Sequence, residues 1–276
     1  MNRTWPLWLT AFILTALSAF YQRRTGPTYP VSGSISMGGE RIEYSLPRSH
    51  PGGGDASVRV PAPDPSMQGV LEWKRFKTED AWTRTPMQRE GMELRGFLPH
   101  QPPAGKLAYR VVLMQGGESA TLPGEPAVIR FRGDVPGWVL ILHVIVIFGA
   151  MLLSTRTGLE IFRSDPAGLR RLVFATIALL FAGGLVLGPV VQKYAFGAYW
   201  TGWPFGHDLT DNKTAIALLA WIAAATILPR SRKPARWALA AALVTLAVFL
   251  IPHSLLGSEL DYKAMDAARP PAAEAP

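Results

Sequence analysis

The chain has 276 residues, a formal net charge of +8, 49% hydrophobic residues and only 17% charged ones. A mean hydropathy of +0.15 is too apolar for an ordinary soluble domain and too polar for a pure membrane bundle, so part of the chain is expected in a membrane and part outside it. The lack of cysteine excludes disulfides, thioether haem attachment and thiolate metal sites.

Residues 5–21, WPLWLTAFILTALSAFY, form the first apolar run. It is short against the roughly 20 helical residues that a bilayer core requires. Arg3 ahead of it and the small residues Ala16, Ser18 and Ala19 within it fit a signal peptide as well as an anchor. Residues 1–24 are therefore assigned as a signal peptide or anchor helix, and either one sends the next segment across the membrane.

Residues 25–136 read as an extracytoplasmic β-sandwich. RIEYSL places Ile42, Tyr44 and Leu46 on one strand face, and KLAYRVVLM does the same with Leu107, Tyr109, Val111 and Leu113. VLEWKRF alternates Leu71, Trp73 and Arg75, and PAVIRFR closes the domain. Gly/Pro punctuation such as HPGGGD and LPHQPPAG separates these period-two patterns. They amount to about seven strands, the usual number for a small sandwich. Leu98, a Pro-rich turn and then Tyr109 in a strand resemble the tyrosine-bearing region of fibronectin type III domains, which implies that fold and no ligand.

After RGDVPGW the character switches. Apolar runs at 138–154, 172–191, 215–228 and 237–251 predict an all-α transmembrane four-helix domain over residues 137–256. Arg156, Arg163, Arg170 and Arg171 lie between the first two runs, and Arg230, Arg232, Lys233 and Arg236 between the last two. Basic residues so placed report orientation rather than a nucleic-acid partner. They assign 155–171 and 230–236 to the cytoplasm of a bacterial inner membrane. The β domain, the loop 192–214 and the C-terminus then lie outside. Residues 257–276, Ala/Pro-rich, are expected to be a disordered tail. FAGGLVLGPVV carries the step Gly184 to Gly188, which lets a neighbouring helix approach closely.

Under that topology the unusual polar residues of the membrane domain gather on the outer side. His143 lies inside the apolar run 138–154, roughly 8 Å below the interface at 1.5 Å per residue. A titratable side chain there faces the bundle interior or a cavity. The loop YWTGWPFGHDLTDNKT supplies His207, Asp208, Asp211, Asn212 and Lys213, and PHSLLGSELDY supplies His253, Glu259 and Asp261. These nine are the ligand-binding candidates; no catalytic residue is singled out. His143, His207 and His253 are the metal candidates, and haem or a divalent metal is the cofactor they would hold. No HExxH or other diagnostic spacing accompanies them. The loop also has a simpler account: its tryptophans and tyrosines suit an aromatic belt, and Thr210 and Asp211 immediately precede the helical run NKTAIALLAW, where a side-chain oxygen caps the first amides and a negative charge suits the dipole.

The loop WTGWPFGHDLTDNKT, the segment IPHSLLGSELDY and a β domain ahead of four spans resemble a group of uncharacterised bacterial integral membrane proteins. That resemblance implies the architecture and carries no activity. The leading functional reading is a binding or assembly factor without turnover, partnered by the bilayer and by another membrane or periplasmic protein. A haem- or metal-binding redox protein is one alternative. A lipid- or anion-handling enzyme or transporter is the other.

Overall fold

The computed structural model describes residues 4–163, 165–252, 255 and 257–268. It has an N-terminal helix, a β-sheet region and then a helical region. The chain divides into two compact units. One combines Met1–Pro27 with Val135–Ser258, the other Thr28–Asp134 with Glu259–Pro276.

The β unit contains ten strands among its described residues, β1 Val31–Met37, β2 Glu40–Leu46, β3 Ser49–Pro51, β4 Ala56–Pro61, β5 Gln68–Arg75, β6 Thr83–Pro86, β7 Gln88–Glu90, β8 Glu93–Leu98, β9 Lys106–Gln115 and β10 Glu118–Arg132. Three of them, β3, β6 and β7, have three or four residues, too few to show an alternation, which is why about seven were expected. The strands form a five-stranded sheet in the order β3-β10-β9-β5-β6, a three-stranded sheet β4-β8-β7 and the hairpin β1-β2. Period-two burial fixes the register. Leu107, Tyr109, Val111 and Leu113 of β9 and Ile42 and Leu46 of β2 enter one hydrophobic core, with Val58 and Val60 of β4 and Leu94 and Leu98 of β8. The Tyr109 hydroxyl donates to Pro47 O at 2.6 Å, far upstream in the chain, whereas a fibronectin-type tyrosine bonds a few residues upstream. Burial pushes its pKa up.

Glu72 stands on the opposite face of β5, is 2% exposed, and accepts from Arg84 Nε and Arg110 Nε, each at 2.7 Å. Burial pushes its carboxyl up, but the two guanidinium groups more than offset this and hold it below the ordinary range. Of residues 257–276, expected as a disordered tail, Glu259 to Ala268 belong to the β unit and carry a helix at Tyr262–Ala267, and 269–276 lie outside the described residues. Tyr262 Oη accepts the Lys106 amide at 3.0 Å and lies 3.0 Å from Gln101 Oε1.

The helical unit contains α1 Trp5–Thr25, α2 Gly137–Gly158, α3 Pro166–Leu180, α4 Gly188–Phe196, α5 Leu209–Ile227 and α6 Pro234–Leu250; the tail helix Tyr262–Ala267 is α7. Among the described residues three helices are long and apolar enough to cross a membrane: Gly137–Phe162, Ala167–Phe196 and Leu209–Arg230. The fourth expected span, α6, is apolar but has 17 residues. α1 packs on α2 and α6 through Ala11, Thr15 and Ser18, which share one face at a helical spacing of four and three. A core of Ala150, Leu180, Leu218, Trp221 and Ala238 joins α2, α3, α5 and α6. Trp221 Nε1 donates to Thr245 Oγ1 at 2.9 Å within it.

Arg156, expected in a basic loop, is instead helical and 2% exposed. It pairs with Glu160, equally buried, at 2.6 Å, and its guanidinium lies over the Trp8 ring at 5.3 Å. Arg and Glu at i and i+4 meet on one helix face, a register that the flanking basic residues obscure.

Candidate functional site

Between α3 and α4 the helix Ala167–Phe196 is interrupted by a π-helical turn, Phe181–Leu187. Glycine permits it, because a Cβ at Gly183 would come within 3.1 Å of Ile147 N, and one at Gly184 within 2.3 Å of Thr214 Cγ2. The glycines therefore seat α2 and α5 against this turn, within one unit. Such turns redirect backbone carbonyls and recur at functional sites. Here Gly183 O lies 3.0 Å from His143 Nδ1. A carbonyl only accepts, so Nδ1 carries the proton and the lone pair is left on Nε2.

His143 lines a cavity of about 310 Å³ among α1, α2, α4, α5 and α6. Asp208, Asp211 and Lys213 line it too. Its other walls are mainly apolar, among them Val144 and Phe148 of α2, Val191 and Phe196 of α4, and Phe249 of α6. A mostly apolar concavity with a few convergent polar groups is the usual form of a small-molecule site.

Each polar group has a definite local assignment. Asp208 is the N-cap of α5, its Oδ1 accepting from Thr210 N at 2.8 Å. Its Oδ2 accepts from Ser258 N at 2.8 Å and Ser258 Oγ at 3.0 Å. Asp211 Oδ2 accepts from Thr201 N at 2.7 Å, Gly202 N at 2.9 Å and Gln192 Nε2 at 3.2 Å. Asn212 Oδ1 accepts from Trp203 N at 2.7 Å. The first turn of α5 thus reaches back to hold the loop before it. Lys213, 6% exposed, donates from Nζ to Ile251 O at 2.8 Å and so satisfies a carbonyl at the end of α6. Gln22 Nε2 joins it, donating to Phe249 O at 2.7 Å and more weakly to Ile251 O at 3.4 Å.

Of the nine expected ligand-binding residues, His143, Asp208, Asp211 and Lys213 meet at this cavity. His207 is exposed and does not line it, and Asn212 is spent on the loop. His253 lies outside the described residues. Glu259 and Asp261 belong to the β unit. There Glu259 bridges Lys106 Nζ at 2.5 Å and Lys77 Nζ at 2.7 Å, and Asp261 caps α7 by accepting from Ala264 N at 3.0 Å. Burial pushes Glu259 up, but hydrogen bonds from the two lysines outweigh it and hold the carboxyl low. Burial likewise pulls the Lys106 ammonium down, and there Glu259 does not fully offset it. Among the described residues no group of three His, Asp or Glu side chains stands ready for a metal ion. Sequence reasoning missed Gln22, Gln192, Thr201 and Ser258. The one available signal was Gln192, an amide at the end of an apolar run, where polar side chains are costly.

No protein-family model and no curated protein matches the chain. One solved structure, the Br derivative of BhCBM56, aligns with 35% of this chain and 97% of its own, at 13% identity and a TM-score of 0.27. A likeness at that score carries no argument about fold or function.

Proposed function

We propose that this is a bacterial inner-membrane binding protein that holds a small apolar or amphiphilic molecule in the cavity of its helical unit, without turnover. The observation that carries the reading is the meeting of His143, Asp211 and Lys213, three costly side chains on two helices, at one largely apolar cavity. The clusters at Arg163 to Arg171 and Arg230 to Arg236 support a cytoplasmic side there. The β-sandwich, Thr28–Asp134 with Glu259 onward, then works outside the cytoplasm, where it is free to engage a membrane or periplasmic partner. The buried face of α1 supports its retention as an anchor.

The test is native mass spectrometry of the detergent-purified full chain, with an absorption spectrum of the same sample. A non-protein mass that organic extraction removes, and that His143→Trp abolishes by filling the cavity, is expected. A Soret band lost on His143→Ala would instead establish the haem alternative. Protein that is ligand-free and takes up no added amphiphile would end the binding reading.

A further inference from the structure

The polar groups of the cavity differ in what they still have to offer. Asp208 has committed both oxygens, to Thr210 N on one side and to Ser258 on the other. Asp211, 7% exposed, has committed Oδ2 to two backbone amides and Gln192. Its Oδ1 has no hydrogen-bond partner among the described residues, and Asp211 is one of the residues that line the cavity. His143 presents the lone pair of Nε2, since Nδ1 is bonded to Gly183 O. Gln192 has committed its amide N–H groups, to Thr201 Oγ1 at 2.6 Å and to Asp211, which leaves its carbonyl oxygen. What Asp211, His143 and Gln192 still offer are acceptors, whereas Lys213 keeps N–H donors beyond the one given to Ile251 O.

The charges point the same way. One ammonium, Lys213, faces two carboxylates, Asp208 and Asp211, along the cavity wall. With His143 neutral the wall is net negative, and Lys213 is engaged by the α6 carbonyl Ile251 O. An anion brought here would be desolvated beside two carboxylates, which few gains could offset. A ligand that donates hydrogen bonds would instead satisfy Asp211 Oδ1 and His143 Nε2, groups that cost free energy while unmet. Its remainder would lie along Val144, Phe148, Val191 and Phe249.

We infer that the cavity takes an amphiphile whose polar end donates hydrogen bonds and carries no negative charge, a hydroxyl or amine head on an apolar chain. This rests on the binding reading above and narrows it. It sets aside an anionic ligand, which Lys213 alone would suggest.

The test compares three probes of one chain length, monoolein, oleylamine and oleate, titrated into the delipidated full chain in uncharged detergent and followed by native mass spectrometry and thermal shift. Monoolein, oleylamine or both are expected to bind at least tenfold more tightly than oleate, and which one does so separates hydroxyl from amine recognition. His143→Phe, which keeps ring volume and removes the Nε2 acceptor together with the Nδ1 bond to Gly183 O, is expected to lower the unliganded melting temperature modestly and to weaken binding to the folded protein at least fivefold. Oleate binding as tightly as the others, or no loss in His143→Phe, would overturn the inference and leave the binding reading standing. Failure of all three probes to bind would remove both.

Discussion

The carboxylate of Asp211, in the first turn of α5, accepts the backbone amide of Thr201 at 2.7 Å across ten residues of chain. The same oxygen takes Gly202 N at 2.9 Å. A buried carboxylate facing two amides ties the loop to the helix it precedes more firmly than a neutral group would, since each bond to a charged acceptor contributes about 1.5–3 kcal/mol. Gly202 has a part in this, because a Cβ there would come within 2.6 Å of Asp211 Cβ.

Asp211→Ala removes the oxygen that accepts both amides and leaves two donors with no partner in a buried place. The expected result is a loss of about 3–5 kcal/mol in stability, together with new proteolytic cleavage between residues 197 and 208. Asp211→Asn keeps one acceptor oxygen and should lose less than half as much. Limited proteolysis and thermal unfolding in detergent check both. Equal losses for the two variants would mean that a neutral oxygen restores none of the stability, and no loss in Asp211→Asn would mean that the carboxylate's charge contributes nothing.

The loop shows where sequence reasoning stops. Its cap was legible, because a short acid ahead of an apolar helical run has few other uses, although the capping residue is Asp208 rather than Thr210 or Asp211. The core of the β unit was legible for the same kind of reason, since alternation at Leu107, Tyr109, Val111 and Leu113 is set by local geometry. What Asp211 bonds is not local: Thr201 and Gln192 reach it only once α4 and α5 are packed. The π turn at Phe181–Leu187, whose Gly183 carbonyl takes both Gly188 N and the His143 ring, leaves no periodic trace. Ser258 and Glu259 are adjacent in sequence yet bond within different units, a boundary that no change in composition marks.

Gln22 and Lys213 serve the same end of α6, through Phe249 O and Ile251 O. Gln22→Leu and Lys213→Met should each lower stability, by about 1 and 2 kcal/mol, the charged donor counting for more. Their effects should not add, because both act on the carbonyls of one helix end. The proposed retention of α1 as an anchor is checked on the same sample: the mass of the purified chain should include residues 5–25. A double mutant whose loss equals the sum of the singles would separate the two contacts.

Arg156 and Glu160 form a pair 2% exposed on each side, with Arg156 Nε, Arg156 Nη1 and Glu160 Oε2 buried and without hydrogen-bond partners among the described residues. Removing one member of such a pair strands a buried charge, at about 3–5 kcal/mol, whereas replacing both by apolar groups can be nearly neutral. Glu160→Leu should therefore be severe and Arg156→Met less so, since Arg163 Nη1 stays 3.5 Å from Glu160 Oε1, and the double variant should melt closer to the parent than Glu160→Leu. Thermal unfolding of the four proteins in one detergent decides it. A double variant as unstable as the worse single would mean that the pair is needed as an ion pair.

The strap Glu259 to Ala268 should detach from the β unit in acid. Glu259 is held below the ordinary carboxylate range because the lysine hydrogen bonds outweigh its burial. Asp80 is held low chiefly by the Arg75 hydrogen bond, and the Arg75 guanidinium, raised by Asp80 and Asp266, also donates to Asp266 Oδ1 and Oδ2, both at 2.8 Å. A carboxyl whose folded pKa lies below its unfolded value stabilises the fold fully above the unfolded value. That contribution fades as the pH falls through the folded one. The strap should thus be tight at neutral pH and begin to loosen only below the ordinary Glu value, roughly 4.3. Hydrogen exchange over residues 259–268 between pH 7 and 3 would show it as lost protection, after correction for the intrinsic rate. Tyr262→Phe, which removes the hydroxyl between the Lys106 amide and Gln101, should raise exchange there at every pH. Glu259→Gln should flatten the acid dependence, and protection that persists unchanged to pH 3 in the parent would show that apolar packing, not these ion pairs, holds the strap.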